Sequence, residues 1–393
     1  MQLLIKNSLI LQDNDTFRKG QLGIDQGKIA ALWYDEPPSL TTGVELIDAE
    51  GCLLSSGFID THNHGGNGFG YDSGSTGTEY DTGWGKLQEW LSGSGVTSIL
   101  PTLESSPYQK MLNFIERNLA LSEKNNSNSV EIVGVHLEGP YFNKSRKGMH
   151  QEQYIRPANK IEIKRILDKS AGLVKVWTLA PEIKENMSFI ETLTAAGVSV
   201  SIGHTEADYD TAMKAFSAGA NRVTHTFNTM PSLNQRYKGI ITAAWQHGAI
   251  MELIADGRHV SPTIIKMFVS ATDPGKVVLV SDNNVCSGLP EGSYMVHNRP
   301  LIVVRGCLET ETGVLAGTNV GLNQCAFNLT RYGFSAGTAL KMASENPARS
   351  IGIFDRKGSI APGKDADLVI LDNQFNVLLT IKGGRIVYRK NMR

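Results

Sequence analysis

The chain has 393 residues, of which 41% are hydrophobic and 20% charged, the balance of a globular enzyme with a large core. That length exceeds one ordinary domain but suits an α/β barrel with a small companion. A net charge of -1 and a sequence pI near 6.8 exclude a basic field that wraps nucleic acid, so any anion must be held by a few placed residues and the substrate should be small. The four cysteines, Cys52, Cys286, Cys307 and Cys325, form no Cys-x-x-Cys or disulfide-like spacing, which reads as a reducing compartment without a thiolate zinc site. The opening MQLLIKNSLILQDND lacks the features of a signal peptide, and no stretch approaches a membrane span. A cytoplasmic location without membrane or nucleic-acid partners is expected.

Residues 1–55 read as short strands, LLIKNSLIL, QLGIDQGKIAALW and GVELIDAEGCLLSS, with turns at Gln26-Gly27 and Glu50-Gly51. A segment this short cannot bury a core alone. From Gly57 the rhythm becomes strand, loop, helix. Eight apolar or β-branched runs are visible at 57–62, 96–103, 130–139, 173–182, 198–204, 222–228, 250–257 and 277–283. Helical patterning falls between them at 108–122, 160–169, 187–196, 209–218 and 263–270. Eight such units predict a (β/α)8 barrel over 56–350. After an interrupted hairpin-like insertion and a helix near 336–344, the tail 351–393 returns to alternating strands with turns at Pro362-Gly363 and Gly383-Gly384. The economical arrangement pairs both ends of the chain, 1–55 and 351–393, into one small β-sandwich beside the barrel.

The run GFIDTHNHGGNG (57–68) organises the rest. Alternate strand residues share a face, so His62 and His64 can converge while Asn63 turns away. On its own a His-x-His pair also suits two polar residues that merely hydrogen-bond. Four further strand-like runs end in Glu138, His204, His225 and Asp282, all residue types that bind or work beside divalent metals. In a barrel all C-terminal strand ends lie on one face, and packing alone gives no reason to gather His62, His64, His136, His204, His225 and His259 at or just after strands. His247 and His297 look incidental.

The motifs GFIDTHNHG, HLEGPY (136–141), KGMH (147–150), GHTEA (203–207), THTFNTM (224–230), ADGRHV (255–260), SD (281–282), LAGT (315–318) and the closing G-x-I-A-P-G-x-x-A-D-L-V resemble the amidohydrolase superfamily. Within it, the chain is similar to the N-acetylglucosamine-6-phosphate deacetylase family, and the resemblance covers essentially the whole length. It implies a metal-dependent hydrolysis of the N-acetyl group of an amino sugar phosphate. Glu138, His204 and His225 would hold one divalent metal, zinc, iron, manganese or cobalt, with positions left open for water and substrate. His62 and His64 would add a second, so one or two metals per subunit are expected. Strand four offers only Lys175, near its beginning, which argues against a lysine-bridged pair of metals.

The resemblance further makes Asp282 the catalytic acid-base. It places Met149, His150, Asn228, Thr229, Asp256, His259, Leu315, Ala316 and Gly317 at the substrate. Arg236 would bind the 6-phosphate in the neighbouring subunit's site, which implies a homodimer; a guanidinium fork suits that task. Three departures from the family pattern touch the sugar and phosphate positions: Asn283-Asn284 after the aspartate, Met149 before His150, and Lys238-Gly239 where relatives read proline-glycine. The galactosamine epimer or another N-acyl amino sugar is thus an alternative substrate. A cyclic amidase is disfavoured by HLEGPY and THTFNTM, and a non-catalytic scaffold or carbohydrate-binding module by the retained ligands and Asp282.

Overall fold

The computed structural model describes residues 1–35, 43–72, 77–123, 130–296 and 299–390. The barrel's eight parallel strands are Phe58–Asn63, Val96–Leu103, Val135–Glu138, Val174–Leu179, Ser199–Ile202, Arg222–Val223, Ile250–Leu253 and Val277–Leu279. Neighbours pair in chain order. The ring closes where the Asp282 N–H donates to the His62 carbonyl (3.0 Å) and the His64 N–H to the Asn283 carbonyl (2.7 Å). Closure therefore sets the His-x-His pair directly beside the end of strand eight.

Helices lie where the sequence patterning predicts them: Tyr108–Glu123, Lys160–Ser170, Tyr209–Ser217, Pro262–Ala271 and Ala336–Ala343. Local chemistry starts several of them. Asn159, Asp208 and Ser335 each accept a backbone N–H of the first turn, satisfying donors that a helix leaves open. The expected helix at 187–196 is broken into Lys184–Met187 and Ile190–Ala195. The expected strand at 222–228 stops after Val223, because the Thr226 N–H pairs with the Glu252 carbonyl while His225 turns to φ 29°.

The chain ends form the small β unit. Leu3–Leu11, Phe17–Asp25, Lys28–Trp33, Glu45–Asp48 and Leu53–Ser56 join Leu368–Leu371, Val377–Lys382 and Arg385–Arg389 in one eight-stranded sheet, with Glu45–Asp48 branching off beside Leu3–Leu11. Strand alternation gives Leu368–Leu371 and Val377–Lys382 two buried faces. Leu368, Ile370, Leu379 and Ile381 pack with Leu3, Ile5, Ile10, Leu22 and Ile24 in the unit's own core, whereas Val369, Leu371 and Val377 join the barrel's cluster. Gly292–Val296, Arg299–Val304, Cys307–Thr310 and Leu315–Thr318 form a separate antiparallel sheet beside the C-terminal face. Among the described residues, no helix is long and apolar enough to cross a membrane.

Candidate metal centre

Glu138, the last residue of strand three, is buried at the middle of the barrel's C-terminal face. Its Oε1 stands 3.3 Å from His62 Nε2, 3.2 Å from His204 Nε2 and 3.1 Å from His225 Nε2. Its Oε2 stands 3.2 Å from both His64 Nε2 and His150 Nε2. His204 and His225 face each other at 3.0 Å, and His62 and His64 at 3.2 Å, in each pair through Nε2. Asp282 Oδ1 lies 3.5 Å from Nε2 of both His62 and His64.

Hydrogen bonds decide which of these nitrogens carry protons. His204 Nδ1 can only donate to the Arg146 carbonyl (2.8 Å), and His62 Nδ1 donates to the Glu252 carboxylate (3.0 Å), so both Nε2 atoms turn lone pairs toward Glu138. Acceptor facing acceptor at this range is repulsive without a cation between them. Ligands about 2.0–2.1 Å from a zinc-like ion stand roughly 3.3 Å apart at tetrahedral angles, which is the spacing seen, so the residues present fit a divalent metal. His150 differs. Its Nδ1 accepts the Ser105 N–H (2.9 Å), so its Nε2 carries the proton and donates to Glu138.

Electrostatics agree with a site built for a cation. Burial pushes His204 down to about 4, which keeps it neutral and ligand-ready at neutral pH. Burial also works against charge on His62, but the carboxylates of Glu138, Asp282 and Glu252 raise its pKa well above the ordinary value, so without a metal a proton on Nε2 stands where the cation would, and a bound metal would displace it. Burial disfavours charge on Glu138, yet His62 and His150 hold its carboxyl well below the usual range. Backbone strain is concentrated here too: His204, His225 and Asp282 sit at φ 49°, 29° and 48°, and Phe227 and Thr229 at 80° and 51°, a left-handed region that non-glycine residues avoid unless their surroundings impose it.

The cluster floors a cavity of about 340 Å³, within the usual size of small-molecule sites. Met149, His150, Asn228, Thr229, His259, Leu315, Ala316 and Gly317 line it, as does Asp282. A Cβ on Gly317 would meet the Asp282 carbonyl oxygen at 2.7 Å, and one on Gly148 would meet Thr229 Cγ2 at 3.0 Å, so glycine lets these loops close around the site. Asp256 is not in the wall. It stands behind His259, whose Nδ1 lies 2.7 Å from its Oδ2, and raises the His259 pKa against the effect of burial. Arg236 is exposed and is not part of this chain's cavity wall. His247 stacks on Phe216, and His297 lies outside the described residues.

Sequence reasoning missed Glu252, Arg222 and Arg299. Arg299 lines the cavity and donates to the Met149 carbonyl at 3.0 Å, but nothing in the hairpin's own sequence distinguishes it. Arg222 and Glu252 are both wholly buried; two strongly charged residues within β-branched barrel strands were the signal available. Asn284 lines the cavity, whereas Asn283 is buried and bonds Thr318 and Val320.

A closed parallel barrel with an acid and several histidines at its C-terminal mouth defines a barrel hydrolase built for divalent metal. The chain belongs to the amidohydrolase family, whose model matches residues 53–387. It is 34% identical to N-acetylglucosamine-6-phosphate deacetylase of Bacillus subtilis, over 98% of this chain and 97% of that protein. It is 32% identical to N-acetylgalactosamine-6-phosphate deacetylase of Escherichia coli O157:H7, over 91% and 92%. An N-acetyl-D-glucosamine-6-phosphate deacetylase mutant from Mycobacterium smegmatis, solved in complex with N-acetyl-D-glucosamine 6-phosphate, superposes with a TM-score of 0.88 at 28% identity, covering 98% of this chain and 99% of that one.

Proposed function

We propose that the protein hydrolyses the N-acetyl group of N-acetylglucosamine 6-phosphate to glucosamine 6-phosphate and acetate, as a cytoplasmic enzyme of amino sugar breakdown. The observation that carries the reading is the ring of imidazole Nε2 atoms around Glu138, set in one cavity with Asp282. Glu138, His204 and His225 would hold one divalent cation, and His62 with His64 a second. When bound, such a cation supplies Lewis acidity toward the amide carbonyl and acidifies its water from a pKa of about 15.7 toward about 7. Asp282 takes a proton from the attacking water and returns it to the amine nitrogen as the C–N bond breaks. The water's oxygen remains in acetate, and the amino sugar leaves with the proton.

His150, Asn228, Thr229 and the loop 315–317 orient the sugar, and His259, aligned by Asp256, donates to it. Arg236 serves the phosphate from a second copy of the chain in a homodimer. We read the chain as 1–55 and 351–393 forming the small β unit around a barrel at 56–350. A second reading, N-acetylgalactosamine 6-phosphate, is favoured by Met149 and Asn284 in the cavity wall and by the 32% identical galactosamine relative.

The test is acetate release from N-acetylglucosamine and N-acetylgalactosamine, each with and without the 6-phosphate, with metal content measured on the same sample. The expected result is a strong preference for the phosphorylated gluco sugar. A preference for the galacto phosphate selects the second reading, and equal rates with and without phosphate would assign the protein to another N-acyl substrate.

A further inference from the structure

Behind the metal centre, inside the barrel, lies an ion pair that none of the chemistry above uses. Arg222, at the start of strand six, and Glu252, on strand seven, are both fully buried. Arg222 Nη1 donates to Glu252 Oε1 at 2.9 Å and to Thr61 Oγ1 at 3.3 Å, and Nη2 donates to Ser350 Oγ. The other carboxylate oxygen does two things at once. Glu252 Oε2 accepts the His62 Nδ1 proton at 3.0 Å and the backbone N–H of His225 at 3.1 Å. One oxygen therefore touches a residue of each half of the centre, the His62–His64 pair and the Glu138–His204–His225 set.

A neutral imidazole has one proton, and its position decides which nitrogen can bind metal. Without an acceptor at Nδ1, nothing holds the His62 proton away from Nε2, and an Nε2 proton would point into the cluster and cancel the lone pair. His136 does not share the task of Glu252. Its ring lies 4.6 Å from that of His62, but its Nε2 is engaged with Thr178 Oγ1 at 2.7 Å and its Nδ1 makes no hydrogen bond. A buried carboxylate in turn needs a fixed partner charge to remain ionised, and Arg222 is the guanidinium that meets it.

We propose that Glu252, held in place by Arg222, is the positioning residue that makes His62 a metal ligand and that couples the two halves of the centre. This rests on the reading of the cluster as a metal site. The pair does not touch substrate. It acts by fixing the His62 tautomer and, through the His225 N–H, the strained turn that aims His225.

The experiment strips the purified protein of metal, reloads it with zinc, and measures ions per subunit and affinity by chelator competition for wild type, Glu252→Leu, which has no acceptor for His62, and the double variant Glu252→Leu/Arg222→Met. The double variant leaves no uncompensated buried charge, so it is the one expected to fold readily. Expected is the loss of one ion per subunit, or an affinity lower by about 10–100-fold, the usual effect of removing a ligand's hydrogen-bond partner. Unchanged stoichiometry and affinity in the folded variants, with only a lower melting temperature, would make the pair structural and overturn the proposal.

The unaltered protein supplies a second readout that no folding defect can confound. The ¹⁵N spectrum of the zinc-loaded wild type should show His62 protonated at Nδ1 and metal-bound at Nε2, and the reverse assignment overturns the inference. Should wild type bind no zinc, iron, manganese or cobalt at all, the metal reading itself fails, and the proposal falls with it. That outcome is separable from the variants' failure because it appears before any substitution is made.

Discussion

The two-residue strand Glu131–Ile132 and strand three after it carry a carboxylate at each end, Glu131 on the side of the small β unit and Glu138 on the cavity side. Both sit in crowded clusters, and Glu131, Asp365 and Asp367 are as close to one another as metal ligands would be. The clusters differ in what lies among the oxygens. Lys357 Nζ is 2.9 Å from Glu131 and 3.2 Å from Asp365 and also bonds Asp367, Lys382 Nζ is 2.9 Å from Glu131, and Arg356 and Lys28 each reach Asp365 at 2.6 Å. Around Glu138 stand imidazoles instead, and the neutral forms of His62 and His204 turn Nε2 lone pairs toward it. Proximity of carboxylates thus does not identify a metal site; the criterion is whether the surrounding nitrogens donate protons or lone pairs. One end of the strand is a self-neutralised clamp between barrel and small unit, and the other is a cradle completed by a cation.

The sharpest way to break this contrast is Glu138→Gln, which removes the central ligand oxygen and puts an amide donor or acceptor in its place. Metal content should collapse and turnover fall by more than about 100-fold, beyond the 10–100-fold typical of outer partners; full metal occupancy would remove Glu138 from the ligand set. Asp282→Asn should be milder in metal and severe in rate. Metal is retained and kcat drops by about 10²–10⁴-fold, the usual value of a positioned acid-base. A rate within a few-fold of wild type would transfer the proton to another group.

Lys357→Met should do the opposite. It leaves carboxylates buried beside fewer charges, so it should cost about 3 kcal/mol of stability, with metal content and KM unchanged below the melting transition. The same cluster gives the wild type a pH dependence. Burial alone would raise Glu131 and Asp365, but Lys357, Lys382, Arg356 and Lys28 hold both carboxyls below their ordinary values. A lowered folded pKa stabilises fully above the unfolded value of about 4 and loses that contribution as pH falls through the folded value. Melting of the metal-free protein should therefore weaken below about pH 4, and less steeply in Lys357→Met; parallel curves would mean the clamp is not what titrates.

The smallest effect concerns the phosphate. Arg236 lies away from this chain's cavity, whereas Arg299 lines it. Arg236→Ala should raise KM for the phosphorylated sugar by about 1.5–3 kcal/mol per lost charged hydrogen bond and leave an unphosphorylated sugar unaffected. If Arg299→Ala does this and Arg236→Ala does not, the phosphate is held within one subunit.

Much of this was legible in the chain itself. The strand-helix rhythm from 57 to 283 marks the barrel, because strands buried on both faces read as continuous apolar runs. The β segments at both ends mark the paired small unit. Glu138, His204, His225 and Asp282 stand out as polar residues at the ends of such runs, where a core residue would be apolar. What sequence pattern carried poorly was the extent of strand six, since a turn imposed by a distant Glu252 is not a local property. Likewise Asp256 reads as a cavity residue by its motif but stands behind His259.

The sequence by itself determined the architecture and the residue types at the strand ends, because burial period and turn chemistry act over a few neighbours. Only the tertiary structure decided which nitrogen of each histidine faces the centre. Those tautomers depend on the Arg146 carbonyl for His204, on Glu252 for His62 and on the Ser105 N–H for His150, partners 58, 190 and 45 residues away. A proton's place on an imidazole follows from the group that meets it in space, and in this barrel those groups come from other strands and loops.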